Sequence, residues 1–185
     1  MELRKDTIVE DALSMGFSHA GLVDIKTLKP REEVREMCAV NKCHAYGKNW
    51  SCPPGCGTVE ECGAEMQSYE WGVLVQVTMD MEDEMDFEAW QDAAEALRER
   101  SDELHSLLRE KYGGVLGLGG AGCKICKTCT YPDAPCRFPE KRMSGMEGYA
   151  LMVNEVCKEN GLLYFYGKDT ITYTGMFLVR DRLVP

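Results

Sequence analysis

Nine of the ten cysteines in this chain fall in two short stretches: Cys38, Cys43, Cys52, Cys56 and Cys62 in the first, and Cys123, Cys126, Cys129 and Cys136 in the second. Thiols gathered this way in segments rich in Gly and Pro are not ordinary core residues. They pair as disulfides or they hold metal, and the compartment decides which. The N-terminus, Met-Glu-Leu-Arg-Lys-Asp, leads into mixed polar sequence without the apolar region and small-residue cleavage site of an export signal. The expectation is therefore a cytoplasmic protein in a reducing compartment, where thiolates are free to take metal.

The second group has the stronger pattern, C-x2-C-x2-C-x6-C, followed by Arg137 and Pro139. Three thiolates at intervals of three let one tight loop wrap a corner of an iron-sulfur cubane. The fourth returns after a turn at Pro132 to Pro135. The bacterial ferredoxin run has the same first three spacings but a closer fourth cysteine, next to proline. The longer gap leaves open whether Cys136 closes the same cluster or reaches another. Four cysteines also satisfy tetrahedral zinc, but zinc sites usually pair two C-x2-C halves across a longer spacer, which leaves a third closely spaced cysteine in excess. Lys124, Lys127, Arg137, Lys141 and Arg142 crowd this loop, either to offset the charge of a thiolate-ligated cluster or as a solvated basic patch.

The first group, C-x4-C-x8-C from Cys38 to Cys52, matches no generic metal motif. Its context still favours ligands, because Trp50-Ser51-Cys52-Pro53-Pro54 is a stiff, partly apolar run suited to shielding a metal from water. Cys56, Cys62 and His44 are all near enough in sequence to supply a fourth ligand, with His44 the weakest of them. With no fourth ligand, an open iron position would be left for substrate. His19 and His105 have no ligand-like setting, and Cys157, among Ala150, Leu151 and Val153, reads as a small buried hydrophobe.

With 185 residues, 44% of them hydrophobic, the chain can bury a core as a single domain over 1–185, with cysteine loops at 38–62 and 122–139. The longest apolar runs, Trp71–Met79 and Gly161–Tyr166, fall short of the roughly 20 residues that span a bilayer. The net charge of −10 argues against a nucleic-acid partner. Periodicity predicts helices over 2–16, from Pro30 to Cys38, over 58–69 behind a Thr58/Glu61 capping box, over 86–112 and over 146–160. Strands are expected at 19–25, 71–79, 162–166 and 171–179. Strands mixed with helices without strict βαβ alternation give an α+β class: a mainly antiparallel sheet packed with helices, plus two cysteine-rich metal-binding loops. Gly117, Gly119 and Gly122 spell G-x-G-x-x-G, but a long helix precedes them and a cysteine loop follows. A dinucleotide fingerprint needs a strand before it and a helix after it, so they are read as flexible backbone packed near the metal. Asp80, Glu82, Asp83, Glu84 and Asp86 are read as a solvated turn.

Two segments resemble a known family. Cys38, Cys43, Tyr46-Gly47, Trp50, Cys52-Pro53-Pro54 and Gly57 form the first. Cys123, Cys126, Cys129, Pro135-Cys136-Arg137, Pro139, Ser144, Met146-Glu147 and Tyr149 form the second. Together they resemble the domain of unknown function numbered 2284, uncharacterised metal-binding proteins of anaerobic bacteria and archaea, with Gly148 standing where alanine is expected. The resemblance implies metal but no reaction. A fainter likeness, at Ala12 to Asp24, is to the opening of the epoxyqueuosine reductase and reductive dehalogenase group, which pairs a corrinoid domain with ferredoxin-type clusters.

The expectation is an iron-sulfur protein with one or two [4Fe-4S] clusters, held by Cys123, Cys126, Cys129 and Cys136 and by Cys38, Cys43 and Cys52 with Cys56. It would act in cytoplasmic electron transfer or reduction with a redox partner protein. The alternatives are a reductase with an open-site cluster, corrinoid-linked, and a structural zinc protein.

Overall fold

The computed structural model describes residues 1–120 and 122–183, with the side chains of 181–183 outside the description. Four strands, β1 (His19–Val23), β2 (Trp71–Asp80), β3 (Tyr112–Gly119) and β4 (Thr170–Leu183), form one antiparallel sheet in the order β1-β2-β4-β3. Five helices accompany them among the described residues: α1 (Ile8–Ser14), α2 (Glu32–Ala39), α3 (Val59–Gln67), α4 (Phe87–Lys111) and α5 (Val153–Glu159). The protein is α+β.

The central strands are apolar in succession because both faces of the sheet are covered. On one face Val73, Val75, Phe177 and Val179 pack under α1 and α4 through Ile8, Ala12, Leu97 and Leu104. On the other, Leu74, Met176, Leu178 and Leu118 pack against Met66, Tyr149, Leu151 and Val156. Each fully buried aliphatic side chain contributes roughly 1.5–3 kcal/mol, so this two-sided core is the rigid body from which the cysteine loops hang.

Local signals explain most element ends. Gly16, at φ 91°, takes the left-handed conformation that stops α1. Thr58 and Glu61 form the reciprocal capping box that starts α3, and the Asp86 carboxylate accepts from the Ala89 N–H to cap α4. The buried stripe of α4 is Ala93, Leu97, Ser101, Leu104, His105 and Leu108.

Three expectations are corrected. The glycine-rich passage is a strand, β3. Its Gly117 and Gly119 admit α4 and the Met143 side chain, since a Cβ at Gly117 would lie 2.6 Å from Met143 Cγ and one at Gly119 would lie 3.1 Å from Ser101 Cβ. The helix over 146–160 is broken, because a 3-10 turn at Glu147–Tyr149 ends where Ala150 turns left-handed at φ 60°, and α5 starts only at Val153. The segment 162–166 is not a strand. It is pinned to the sheet by side chains, with the Tyr166 hydroxyl donating to Gln76 Oε1 at 2.8 Å and Gln76 Nε2 donating to the Leu163 carbonyl at 2.8 Å.

Candidate metal centre

The second cysteine loop follows β3 and, among the described residues, has no regular secondary structure until the turn at Glu147. Its shape comes from local polar bonds. The Thr130 hydroxyl donates to the Pro135 carbonyl at 2.9 Å, the Ala134 N–H donates to the Thr130 carbonyl at 3.0 Å, and the Arg137 guanidinium donates to the Thr128 carbonyl at 2.9 Å. Cys123, Cys126, Cys129 and Cys136 all line one small cleft, together with Trp50, Ile125 and Phe138. Burial pushes the Cys123 thiol up, and the neighbouring thiolates at Cys136, Cys126 and Cys129 push it further, against the opposing bond from the Ile125 N–H. Four thiolates within electrostatic reach repel one another, and a bound cation relieves that repulsion.

The first group is assembled from several chain segments. Cys38 sits in the last turn of α2, Cys43, Cys52 and Cys56 lie in the loop that follows, and Cys62 is in α3. The thiol of Cys38 is pushed up by burial, then by Glu147, with smaller contributions from Cys43 and Cys52. That of Cys52 is raised mainly by burial and also by Cys43 and Cys56. Cys38, Cys43, Cys52 and Cys56 thus form a linked set. Cys62 is only 1% exposed and faces Cys56 from the core side. The two share a hydrogen bond that holds the Cys62 thiol below its ordinary range and Cys56 above it.

Two features of the first group lay outside sequence reasoning. The Arg35 guanidinium donates to Cys56 Sγ at 3.9 Å, to Cys62 Sγ at 3.7 Å and to the Gly148 carbonyl at 3.2 Å. Its Nε is buried without a hydrogen-bond partner. The turn at Glu147–Tyr149 supplies carbonyls to the thiols, with Cys38 Sγ donating to Glu147 O at 3.6 Å and Cys56 Sγ to Gly148 O at 3.1 Å. Neither could be found from spacing, since 113 residues separate Arg35 from Gly148.

The two groups adjoin. Ser51 immediately precedes Cys52, and its hydroxyl accepts from the Cys123 N–H at 2.9 Å. The Trp50 indole donates to the Ala134 carbonyl at 3.1 Å and meets the Tyr131 ring edge-on at 4.9 Å, while the Arg142 guanidinium donates to the Trp50 carbonyl at 2.6 Å. Gly55 admits this docking: a Cβ there would lie 2.5 Å from the Asn49 carbonyl oxygen and 2.9 Å from the Tyr131 ring.

Among the described residues, no three His, Cys, Asp or Glu side chains gather tightly enough to share a single ion. His44 is exposed in its loop and His105 is buried in α4. Cys157 is fully buried in α5, within reach of the Gln76 amide.

An α+β scaffold that gathers eight thiols into two adjoining groups has the make-up of a metal-binding protein. The chain belongs to the family described as predicted metal-binding protein (DUF2284), whose family model matches residues 21–179. That span holds all ten cysteines. No curated protein and no solved structure matches the chain. No helix among the described residues is long and apolar enough to cross a membrane.

Proposed function

We propose that this protein is a two-cluster iron-sulfur protein of an anaerobe's cytoplasm, a single unit over 1–185 that works in one-electron transfer. Cys123, Cys126, Cys129 and Cys136 would hold one [4Fe-4S] cluster, and Cys38, Cys43, Cys52 and Cys56 the other. The observation that carries this reading is the cleft lined by all four thiols of the second group, which the chain spaces as C-x2-C-x2-C-x6-C. Such a cluster, when bound, accepts and releases one electron at a time.

The chain's own residues have defined parts in this reading. Trp50, Ile125 and Phe138 wall the second cavity with apolar surface and restrict water, which with hydrogen bonding sets the potential of a cluster. Arg35 gives the first group a cationic donor that favours its more reduced, more negative state. Ser51, next to Cys52, bonds the Cys123 N–H and so joins the backbones that carry the two groups.

A groove beside the first group supports a second reading, that of a reductase. Cys38 and Cys43 form part of the wall of an open cavity of about 990 Å³ that also includes Met37, Leu151, Val153 and Tyr164. A small apolar molecule lying there would touch the first group directly.

Analysis of iron, zinc and acid-labile sulfide on protein prepared without oxygen tests the leading reading. About four iron and four sulfide per cluster are expected. Stoichiometric zinc without sulfide would replace it with the structural zinc alternative.

A further inference from the structure

The surface charge is segregated around the second cysteine group. Residues 122–142 carry Lys124, Lys127, Arg137, Lys141 and Arg142 against Asp133 and Glu140, a local +3 in a chain of −10, so the remainder carries −13. Exposure separates these five. Arg142 is half-buried and turned inward to the Trp50 carbonyl, which makes it part of the loop's frame. Lys124, Lys127, Arg137 and Lys141 are exposed, and none of them forms a salt bridge among the described residues. Arg98 of α4, by contrast, is engaged by Glu95 and Asp102. Charges needed only to offset a cluster would turn inward as Arg142 does; Arg137 is exposed but bonded to the Thr128 carbonyl, whereas Lys124, Lys127 and Lys141 face solvent without such a bond.

The same loop exposes two large apolar side chains, Ile125 at 44% and Phe138 at 38%, and both also line the cysteine cavity. Apolar contacts beside exposed positive charge are the anatomy of a transient protein interface, in which charge steers encounter and the small apolar centre limits residence. Asp102 and Glu110 share a groove with Ile125 and Lys141 and bound this basic face on the side of α4.

The geometry points to this basic face as the docking surface for an acidic protein electron carrier, which exchanges one electron with the centre held by Cys123, Cys126, Cys129 and Cys136. The assignment rests on the electron-transfer reading above. The carrier's reduced cofactor loses one electron, the centre gains one, and no bond or proton moves. An extended nucleic acid does not suit the face, because its phosphates would run off a short basic island onto a surface of −13.

The test uses cluster-loaded protein and an acidic flavodoxin as the probe, with affinity measured by fluorescence anisotropy of labelled flavodoxin and the rate of centre reduction by stopped flow. Binding and rate should both fall about tenfold or more as the Debye length contracts from about 30 Å at 0.01 M salt to about 3 Å at 1 M. The variant Lys124→Glu/Lys127→Glu/Lys141→Glu, altered only at exposed positions, should lose about tenfold at low salt and no longer respond to salt in that direction. A basic cytochrome c should show the opposite preference. Unchanged affinity and salt response in the variant, or displacement of flavodoxin by a short RNA duplex, would overturn the docking assignment. Iron and sulfide measured on the same sample keep the two claims apart: flavodoxin binding without iron sinks the cluster reading alone, and iron without salt-dependent binding sinks the docking assignment alone.

Discussion

The first cysteine group is drawn from the end of α2, a long loop and a contact with α3, and is braced by Arg35 and by carbonyls of the turn at Glu147–Tyr149. The second is a single loop with no regular element inside it, shaped by a few side-chain bonds to its own backbone. The surroundings differ as well. Beside Cys38 and Cys43 runs an apolar groove near the exposed Met37 and Tyr164, whereas exposed lysines surround the second group. The contrast teaches where metal is structural. The first group's frame belongs to helices packed on the core, while the second group's loop has only its own side-chain bonds and its contact with Trp50 and Ser51 to hold it, so metal has more of that loop's shape to fix.

The largest expected effect follows from that contrast. The double variant Cys126→Ser/Cys129→Ser should lose one whole cluster, about half of the iron and sulfide, and residues 122–142 should become the fastest-exchanging part of the protein by hydrogen exchange. Residues 59–67, capped and packed on the core, should keep their protection. Equal loosening of both regions would break the comparison.

Next in size is the choice of fourth ligand in the first group. Cys56→Ser should release iron from that group alone. Cys62→Ser should retain the iron at a stability cost of about 1–3 kcal/mol, from a hydroxyl placed at a buried position. Iron analysis with thermal denaturation distinguishes the two, and the reverse pattern would make Cys62 the ligand.

A pH effect should appear on the second group's side. His105 lies under Ile125 and Lys141, and burial, helped by Arg109, pulls its pKa from 6.5 down to about 4. The unfolded chain then binds this proton more readily than the folded one, so stability falls as pH drops from about 6.5 to about 4, by roughly 3 kcal/mol at most. His105→Gln should flatten denaturation midpoints across that window, and an unchanged slope would assign the acid sensitivity elsewhere. The smallest effect belongs to the first group's brace. The Tyr149 hydroxyl donates to Glu65 Oε2 at 2.7 Å, so Tyr149→Phe should cost about 1–2 kcal/mol in urea denaturation with iron content unchanged.

Legibility from the sequence followed the locality of each feature. The second group could be read because its four cysteines, its basic residues and its turn lie within one stretch, and the structure places all four thiols on one cavity. The Thr58/Glu61 capping box was legible for the same reason. Arg35 was not, because its partners come from the first loop, from α3 and from a distant turn that folding alone brings together. The break was hidden because the residue that turns left-handed is Ala150 and not the nearby Gly148, and it is held by the buried packing of Tyr149 and Leu151. The apolar run at Leu162–Tyr166 imitates a strand, yet its Leu163, Tyr164 and Phe165 side chains are exposed, and its anchors are polar bonds to Gln76 across the sheet.

Low-temperature EPR of the dithionite-reduced protein tests the central claim most directly. The account predicts signals of reduced [4Fe-4S] centres in the intact chain, with one component missing from the Cys126→Ser/Cys129→Ser variant and the other retained. A colourless, EPR-silent protein that carries zinc would contradict it.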